Sequence, residues 1–325
     1  MIKKLTIKRF KSIRDLSISC KRVNLFIGEP DTGKTNILEA LNFLSRLGWN
    51  WPIDRTFRVH GNTGFNELFH RQFFDKPFEI KLDGFHLRAS VAGQDRHLDL
   101  QCSPNGQRFT LGFNMKVHLP ELSWIRFYSY TSSAEWQYST EGPEADKIVV
   151  TPNGPNLLYL AQHHGKANEF LKEVVSELDW KVNFDPTSKR FNLSEIREDE
   201  ILNYGLELLS DSLKRYFFYG VILLTSTKAT LVFDERDVFA FPPYPKLLAE
   251  MIARNRSNQF FLTTHNPYFL AALAEKTPGV DLNIFICYRG GESGTQVRLL
   301  TRKEVSGLIE QGAAVFFNLK DYAKS

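Results

Sequence analysis

Val23-Asn24-Leu25-Phe26-Ile27-Gly28-Glu29-Pro30-Asp31-Thr32-Gly33-Lys34-Thr35-Asn36-Ile37-Leu38-Glu39-Ala40-Leu41 is the stretch on which the reading of this chain turns. Five largely apolar residues read as a buried strand, and the apolar positions from Ile37 onward recur at helical spacing. Between them Gly28 to Thr35 has the form G-x-x-x-x-G-K-T, a turn that lays backbone N–H groups around a phosphate. Gly28 and Gly33 supply the conformational freedom, and Glu29, Pro30, Asp31 and Thr32 fill the turn. Lys34 brings a point charge to the β- and γ-phosphates, the Thr35 hydroxyl is an expected Mg²⁺ ligand, and the first helical turn, with Asn36, faces the same anion.

Working outward, 325 residues with 42% apolar content support one large or two modest domains with an ordinary core. The 27 phenylalanines read as core filling, with an aromatic association surface as the alternative. A net charge of +4 permits a nucleic-acid partner without requiring one. Three widely spaced cysteines suggest neither a disulfide framework nor zinc, and a reducing cytoplasm is expected. The basic start lacks the apolar run of a signal peptide, and no segment is apolar over the length needed to span a bilayer, so no membrane partner is expected.

The pattern beyond the first helix predicts a split architecture. Residues 1–56 and 206–325 read as a phosphate-loop core, 57–150 as a β-rich lobe, and 151–205 as a mainly helical insertion with a hairpin near Phe184-Asp185-Pro186-Thr187. Alternating runs at Phe78–Leu82 and Phe85–Ala89, with turns at Asp83-Gly84 and Pro104-Asn105-Gly106, predict antiparallel sheet. Continuous apolar runs at Lys228–Asp234 and Gln259–Thr264, with a helix from Tyr244 to Arg254 between them, predict parallel strands covered on both faces.

Both runs end in chemistry. The first delivers Asp234-Glu235, where Asp234 is an expected Mg²⁺ ligand and Glu235 an expected proton acceptor for an attacking water, the alternative being a solvated turn. The second ends in Thr264-His265, and His265 is expected to sense a γ-phosphate, a satisfied polar histidine being the other reading.

Taken together, Ile7-Lys8-Arg9-Phe10-Lys11-Ser12-Ile13, the Gly33–Leu41 segment, Asp234-Glu235 and Thr263-Thr264-His265-Asn266-Pro267 resemble the ABC-type ATPases of the OLD and RecF kind, similar to SMC heads. The resemblance covers roughly 1–48 and 205–275. It implies an α/β P-loop NTPase head with an antiparallel β lobe and a helical insertion, hydrolysing ATP with Mg²⁺. It also implies a homodimer that sandwiches ATP head to tail, acting on DNA or on a separate nuclease or toxin effector. The signature segment of that family matches Leu209-Ser210-Asp211-Ser212-Leu213-Lys214, with Ser210 toward the partner's γ-phosphate and Ser212 where the family has glycine; a helix start capped by serine is the alternative. Lys11 matches a phosphate-approaching position or is a solvated strand lysine. Gln72 is the first candidate for the glutamine that contacts Mg²⁺ in the family, or else an exposed loop residue. The nuclease domain usual in OLD proteins is not expected after Asn266. Basic clusters at Lys3-Lys4-Lys8-Arg9-Lys11-Arg14 and at Lys181, Lys189 and Arg190 are candidates for DNA contact or solvated faces.

Overall fold

The computed structural model describes residues 1–53, 64–92, 97–112, 115–131, 138–142, 144–197, 200–234, 241–312, 316, 319 and 322. In chain order its elements are β1 (Lys4–Phe10), β2 (Ile13–Ser19), β3 (Val23–Ile27), α1 (Lys34–Gly48), β4 (Phe78–Leu82), β5 (Phe85–Ala92), β6 (His97–Ser103), β7 (Gln107–Leu111) and β8 (Ile125–Tyr128). There follow α2 (Leu157–His163), α3 (Gly165–Ser176), β9 (Trp180–Asp185), β10 (Arg190–Arg197), β11 (Glu200–Gly205), α4 (Asp211–Thr225), β12 (Thr230–Asp234), α5 (Pro243–Arg254) and β13 (Gln259–Thr263). The last are α6 (Pro267–Lys276), β14 (Leu282–Arg289), β15 (Thr295–Leu299) and α7 (Arg302–Gln311). The chain divides into two compact units, one of Met1–Phe127, Lys228–Arg236 and Asn258–Ser325, the other of Tyr128–Thr227 and Asp237–Ser257.

The first unit is built on two six-stranded sheets. The antiparallel one has the order β2-β1-β4-β5-β6-β7, with the β4–β5 turn at Asp83-Gly84 and the β6–β7 turn at Pro104-Asn105-Gly106. Gly84 and Gly106 take φ of 74° and 64°, the left-handed region these tight turns demand. The other sheet has the order β15-β14-β3-β13-β12-β8, in which β14, β3, β13 and β12 run parallel and β15 antiparallel. Every residue of β3, β12 and β13 is buried, which is why these strands are continuous apolar runs and not alternating ones. Helix α1 packs against β1, β12 and β13, so one core gathers Ile37, Leu41 and Phe43 with Ile7 and Phe78 of the antiparallel sheet and Val232 and Phe261 of the mixed one. Phe78 sits in an edge-on aromatic cluster with Phe10, Phe43 and Phe69, ring centroids 5.2 to 5.5 Å apart.

One buried amide joins the chain start to the mixed sheet. Gln259 Oε1 accepts from the Ile2 N–H (2.7 Å) and the Thr230 hydroxyl (3.0 Å), while Nε2 donates to the carbonyls of Ile2 (2.7 Å) and Lys21 (2.8 Å). Gln259 is 1% exposed, so Gln259→Leu leaves four buried polar groups without this partner. We expect a loss of about 3 kcal/mol, read as a lower urea midpoint at unchanged m-value.

In the second unit α2, α3, α4 and α5 pack in sequence, and β9, β10 and β11 form an antiparallel three-stranded sheet in the order β11-β10-β9. The 151–205 stretch is helical only as far as Ser176 and β-sheet from Trp180 to Gly205. The hairpin expected near Phe184-Asp185-Pro186-Thr187 is the β9–β10 connection, but the mainly helical character expected of the stretch gives way to a three-stranded sheet. The cause is burial: β9 and β11 are half-buried to exposed throughout, so neither carries the clean apolar alternation that marks a strand. The buried Asn156 side chain accepts from the Val150 N–H and donates to the carbonyls of Ala145 and Ile148, tying the irregular segment before α2 to the start of that helix.

Candidate active site

The strand ends of β3, β12 and β13 are neighbours in the mixed sheet, and their C-terminal sides carry the three polar segments read from the sequence. In an open parallel sheet this edge is where ligands bind.

From β3 the chain enters the turn at Gly28 and leaves it at Gly33, which takes φ 92° as the N-cap of α1. A Cβ at Gly28 would stand 2.5 Å from the Cys287 carbonyl, and one at Gly33 would collide with the Thr295 hydroxyl, so both positions need glycine on space alone. Asp31 also takes a positive φ, and its carbonyl accepts from Arg289 Nε at 2.8 Å. Lys34 folds its amine back across the turn to the carbonyls of Gly28 (2.8 Å) and Glu29 (2.7 Å). Burial pushes its pKa down, and Cys287, Asp234, Asp31 and Glu29 pull it the other way.

Asp234, 3% exposed at the end of β12, accepts from the Thr263 hydroxyl at 2.9 Å and, at a longer 3.5 Å, from Thr35. A hydroxyl and a carboxylate side by side are the hard oxygen donors a Mg²⁺ ion takes from protein when phosphate and water supply the rest, so the donor set fits that ion. Thr263 belongs to the quoted Thr263–Pro267 segment, but its service to Asp234 is visible only once β12 and β13 are paired at Asp234↔Thr263.

His265 follows β13 by two residues. Its position is fixed by what comes next: Asn266 caps α6 by accepting from the N–H groups of Tyr268 and Phe269, and Pro267 occupies the first turn. The imidazole is half-buried, its ring centroid 6.2 Å from that of Phe316. Its pKa is lowered first by burial and next by the Lys34 charge, against an upward pull from Asp234. Lys34, Thr35, Asp234 and His265 are thus one electrostatic group.

This lowering has a sign. Between the folded pKa and the ordinary 6.5, only the unfolded chain binds the proton, so stability attributable to His265 falls as pH drops through that window. We expect the His265 ring resonances in an NMR titration to move with a midpoint below 6.5. In a Lys34→Met variant the midpoint should rise yet stay below 6.5, because burial is the larger cause.

Glu235 lies outside the described residues. Lys11, at φ 49° in the β1–β2 turn, places its amine 2.5 Å from the carboxylate of Glu39, a buried residue of α1, and so is no solvated strand lysine. Gln72 is exposed in a short 3₁₀ turn, His70–Gln72, whose His70 ring is held by the Lys11 carbonyl at 2.9 Å. Ser210 and Ser212 belong to the second unit. There Ser210 is the N-cap of α4, accepting from the Leu213 N–H, and Ser212 accepts from the Phe241 N–H at 3.1 Å.

Among known proteins, the fold is similar to the SMC head crystallised with the C-winged helix domain of ScpA, with TM-score 0.51 and 15% identity over 93% of this chain and 99% of that one. The Thermotoga maritima SMC head gives 0.43 at 15% identity over 92% and 99%, and RecF of the RecFOR pathway 0.42 at 15% over 93% and 98%. In sequence, the chain is 26% identical over 136 residues to the OLD nuclease of Thermus scotoductus, a match spanning 36% of this chain and a quarter, 25%, of that protein. Residues 1–103 match the family model described as AAA ATPase domain, so the Gly28–Thr35 turn of this α/β, SMC-head-like fold lies in the segment that matches an ATPase family.

Proposed function

We propose that the chain is a Mg²⁺-dependent ATP hydrolase that pairs head to tail with a second copy on ATP and couples that cycle to DNA or to a separate effector. One observation carries the reading: a lysine, a hydroxyl–carboxylate pair and a histidine stand together at adjacent strand ends although they are remote in sequence. In this reading the turn amides and Lys34 hold the β- and γ-phosphates, and Thr35 with Asp234 would hold the metal, which when bound offsets charge on the phosphoryl oxygens. Glu235 orients and deprotonates the attacking water, and His265, kept neutral by its surroundings, donates or accepts one hydrogen bond at the γ-phosphate.

A second reading has its own support. Ser210 and Ser212 are both engaged within the chain, which suits a nucleotide-gated module that binds ATP and pairs with slow or no turnover. Steady-state phosphate release together with sizing by light scattering, with and without ATP and Mg²⁺, separates them. Release abolished by Glu235→Gln, with a dimer trapped on ATP, supports the enzyme. Tight ATP binding without release supports the module, and absence of ATP binding sinks both.

For DNA, three cations of the first basic cluster are already paired: Lys8 with Asp15 (3.3 Å), Arg9 with Glu79 (2.9 Å) and Lys11 with Glu39. The exposed Lys181, Lys189 and Arg190 of β9, β10 and their turn are better placed. Binding there should weaken steeply with salt. No helix among the described residues is long and apolar enough to cross a membrane, and with three free thiols a cytoplasmic setting belongs to the proposal.

A further inference from the structure

We infer that Thr295, with Ser12, is a positioning residue for the phosphate loop, a latch that holds the turn in its phosphate-binding shape from outside the motif. The inference rests on nucleotide binding by Gly28 to Thr35, as proposed above.

Four side chains and two carbonyls form a chain at the back of the turn. Asn36 Nδ2 lies 2.5 Å from Ser12 Oγ, Ser12 Oγ lies 2.6 Å from Thr295 Oγ1, and Thr295 Oγ1 lies 3.0 Å from the Thr32 carbonyl oxygen. Thr32 in turn donates its hydroxyl to the Glu29 carbonyl at 2.8 Å. The direction is fixed from the far end. A carbonyl only accepts, so the Thr295 proton goes to Thr32, Ser12 must give its own proton to Thr295, and Ser12 accepts from the Asn36 amide. The Ser12 and Thr295 hydroxyls each donate once and accept once within the chain.

The groups come from three places in the sequence: the β1–β2 turn, the phosphate loop with the first turn of α1, and the start of β15. The backbone fixes the join, since the Thr295 N–H donates to the Ser12 carbonyl at 2.8 Å and Ile13 bridges to Gly294. Thr295 is 1% exposed and Thr32 6%, so water cannot substitute for either partner at the Thr295–Thr32 bond. The absence of space for a Cβ at Gly33 against the Thr295 hydroxyl shows how closely the loop rests on this residue. A loop whose amides must all converge on one anion loses affinity when its backbone is free to relax, and a carbonyl held at Thr32 fixes the peptide that ends in the Gly33 N–H.

The test is equilibrium binding of methylanthraniloyl-ATP with Mg²⁺ to the full chain, alongside phosphate release. Thr295→Val keeps the shape and removes the hydroxyl. It should weaken binding about tenfold, as expected for a buried acceptor left unsatisfied. The change should fall on KM, with kcat within about threefold of the parent. Thr295→Ser restores the hydroxyl and should recover binding to within about twofold, a rescue that a purely packing role would not give. Ser12→Ala should weaken binding in the same direction, and adding it to Thr295→Val should cost little more, because both act through one chain. If Thr295→Val does not fold, Ser12→Ala carries the test, and parental binding in that variant overturns the latch. Parental binding in Thr295→Val while Lys34→Met loses binding overturns the latch and leaves the proposed function standing. If the parent chain itself does not bind the probe, the proposed function falls and the latch with it.

Discussion

Lys34→Met is expected to lower kcat/KM for ATP by at least about a hundredfold and yet to leave the nucleotide-free protein as stable as the parent or more so. The activity loss follows from removing charge-assisted bonds to phosphate oxygens, each worth about 1.5–3 kcal/mol. The stability gain follows from the same amine seen without substrate. It is 6% exposed, and burial is the leading cause that pushes its pKa down, which means the folded state disfavours the charge it holds. Two backbone carbonyls, of Gly28 and Glu29, offset that penalty in part. The pH dependence has a definite sign: between the lowered folded pKa and the ordinary 10.5, only the unfolded chain stays protonated, so stability from this group rises with pH across that window. Burial raises the pKa values of Cys20, Cys102 and Cys287 and so lowers stability toward pH 10 in both proteins. The urea midpoint should therefore fall further between neutral pH and pH 10 in Lys34→Met than in the parent, the difference being the Lys34 contribution. A variant that loses ATP binding and also melts well below the parent would show instead that Lys34 serves the fold.

The parts of the candidate site legible in the sequence are those that sit at the ends of fully buried strands. Val23–Ile27, Thr230–Asp234 and Gln259–Thr263 are apolar because both faces of each are covered, and a covered strand can present polar groups only at its end. The hairpins at Asp83-Gly84 and Pro104-Asn105-Gly106 were legible because their turns need residues with left-handed freedom. Helix α5 starts one residue before the expected Tyr244, with prolines at its entry, and ends at Arg254 as expected. What stayed hidden was pairwise and distant. Ser12 and Thr295 are polar residues 283 positions apart in strands and turns with no shared period, and nothing in either neighbourhood announces the other. Lys11 and Glu39 form an ion pair across the β1–β2 turn and α1, yet a lone lysine reads as solvated and a lone glutamate in a helix as surface. Of the β9–β11 sheet only the β9–β10 hairpin is legible, from the turn residues at Asp185-Pro186-Thr187, because β11 has no buried face strong enough to impose alternation.

Asp234→Asn separates metal binding from fold, because the amide keeps an oxygen that can accept from Thr263 and Thr35 while it removes the charge and turns the other carboxylate oxygen into an NH2 donor. Expected is a fall in kcat of about a hundredfold or more, with the Mg²⁺ concentration for half-maximal activity rising at least about tenfold. Nucleotide binding in EDTA should move the other way. Asp234 is a buried negative group within electrostatic reach of Lys34 and His265, so it repels an unmetallated triphosphate, and neutralising it should hold or tighten metal-free ATP binding. His265 reports the same change independently: Asp234 pulls its pKa up, so the variant's imidazole should titrate lower still than the parent's. Asp234→Ala is the harsher comparison, since it leaves the Thr263 hydroxyl, 3% exposed, without its carboxylate acceptor and should lower the melting temperature, whereas Asp234→Asn should not. Metal-free ATP affinity lost in Asp234→Asn together with activity would mean that the carboxylate shapes the loop, and the assignment of Thr35 and Asp234 to one Mg²⁺ ion would then be wrong.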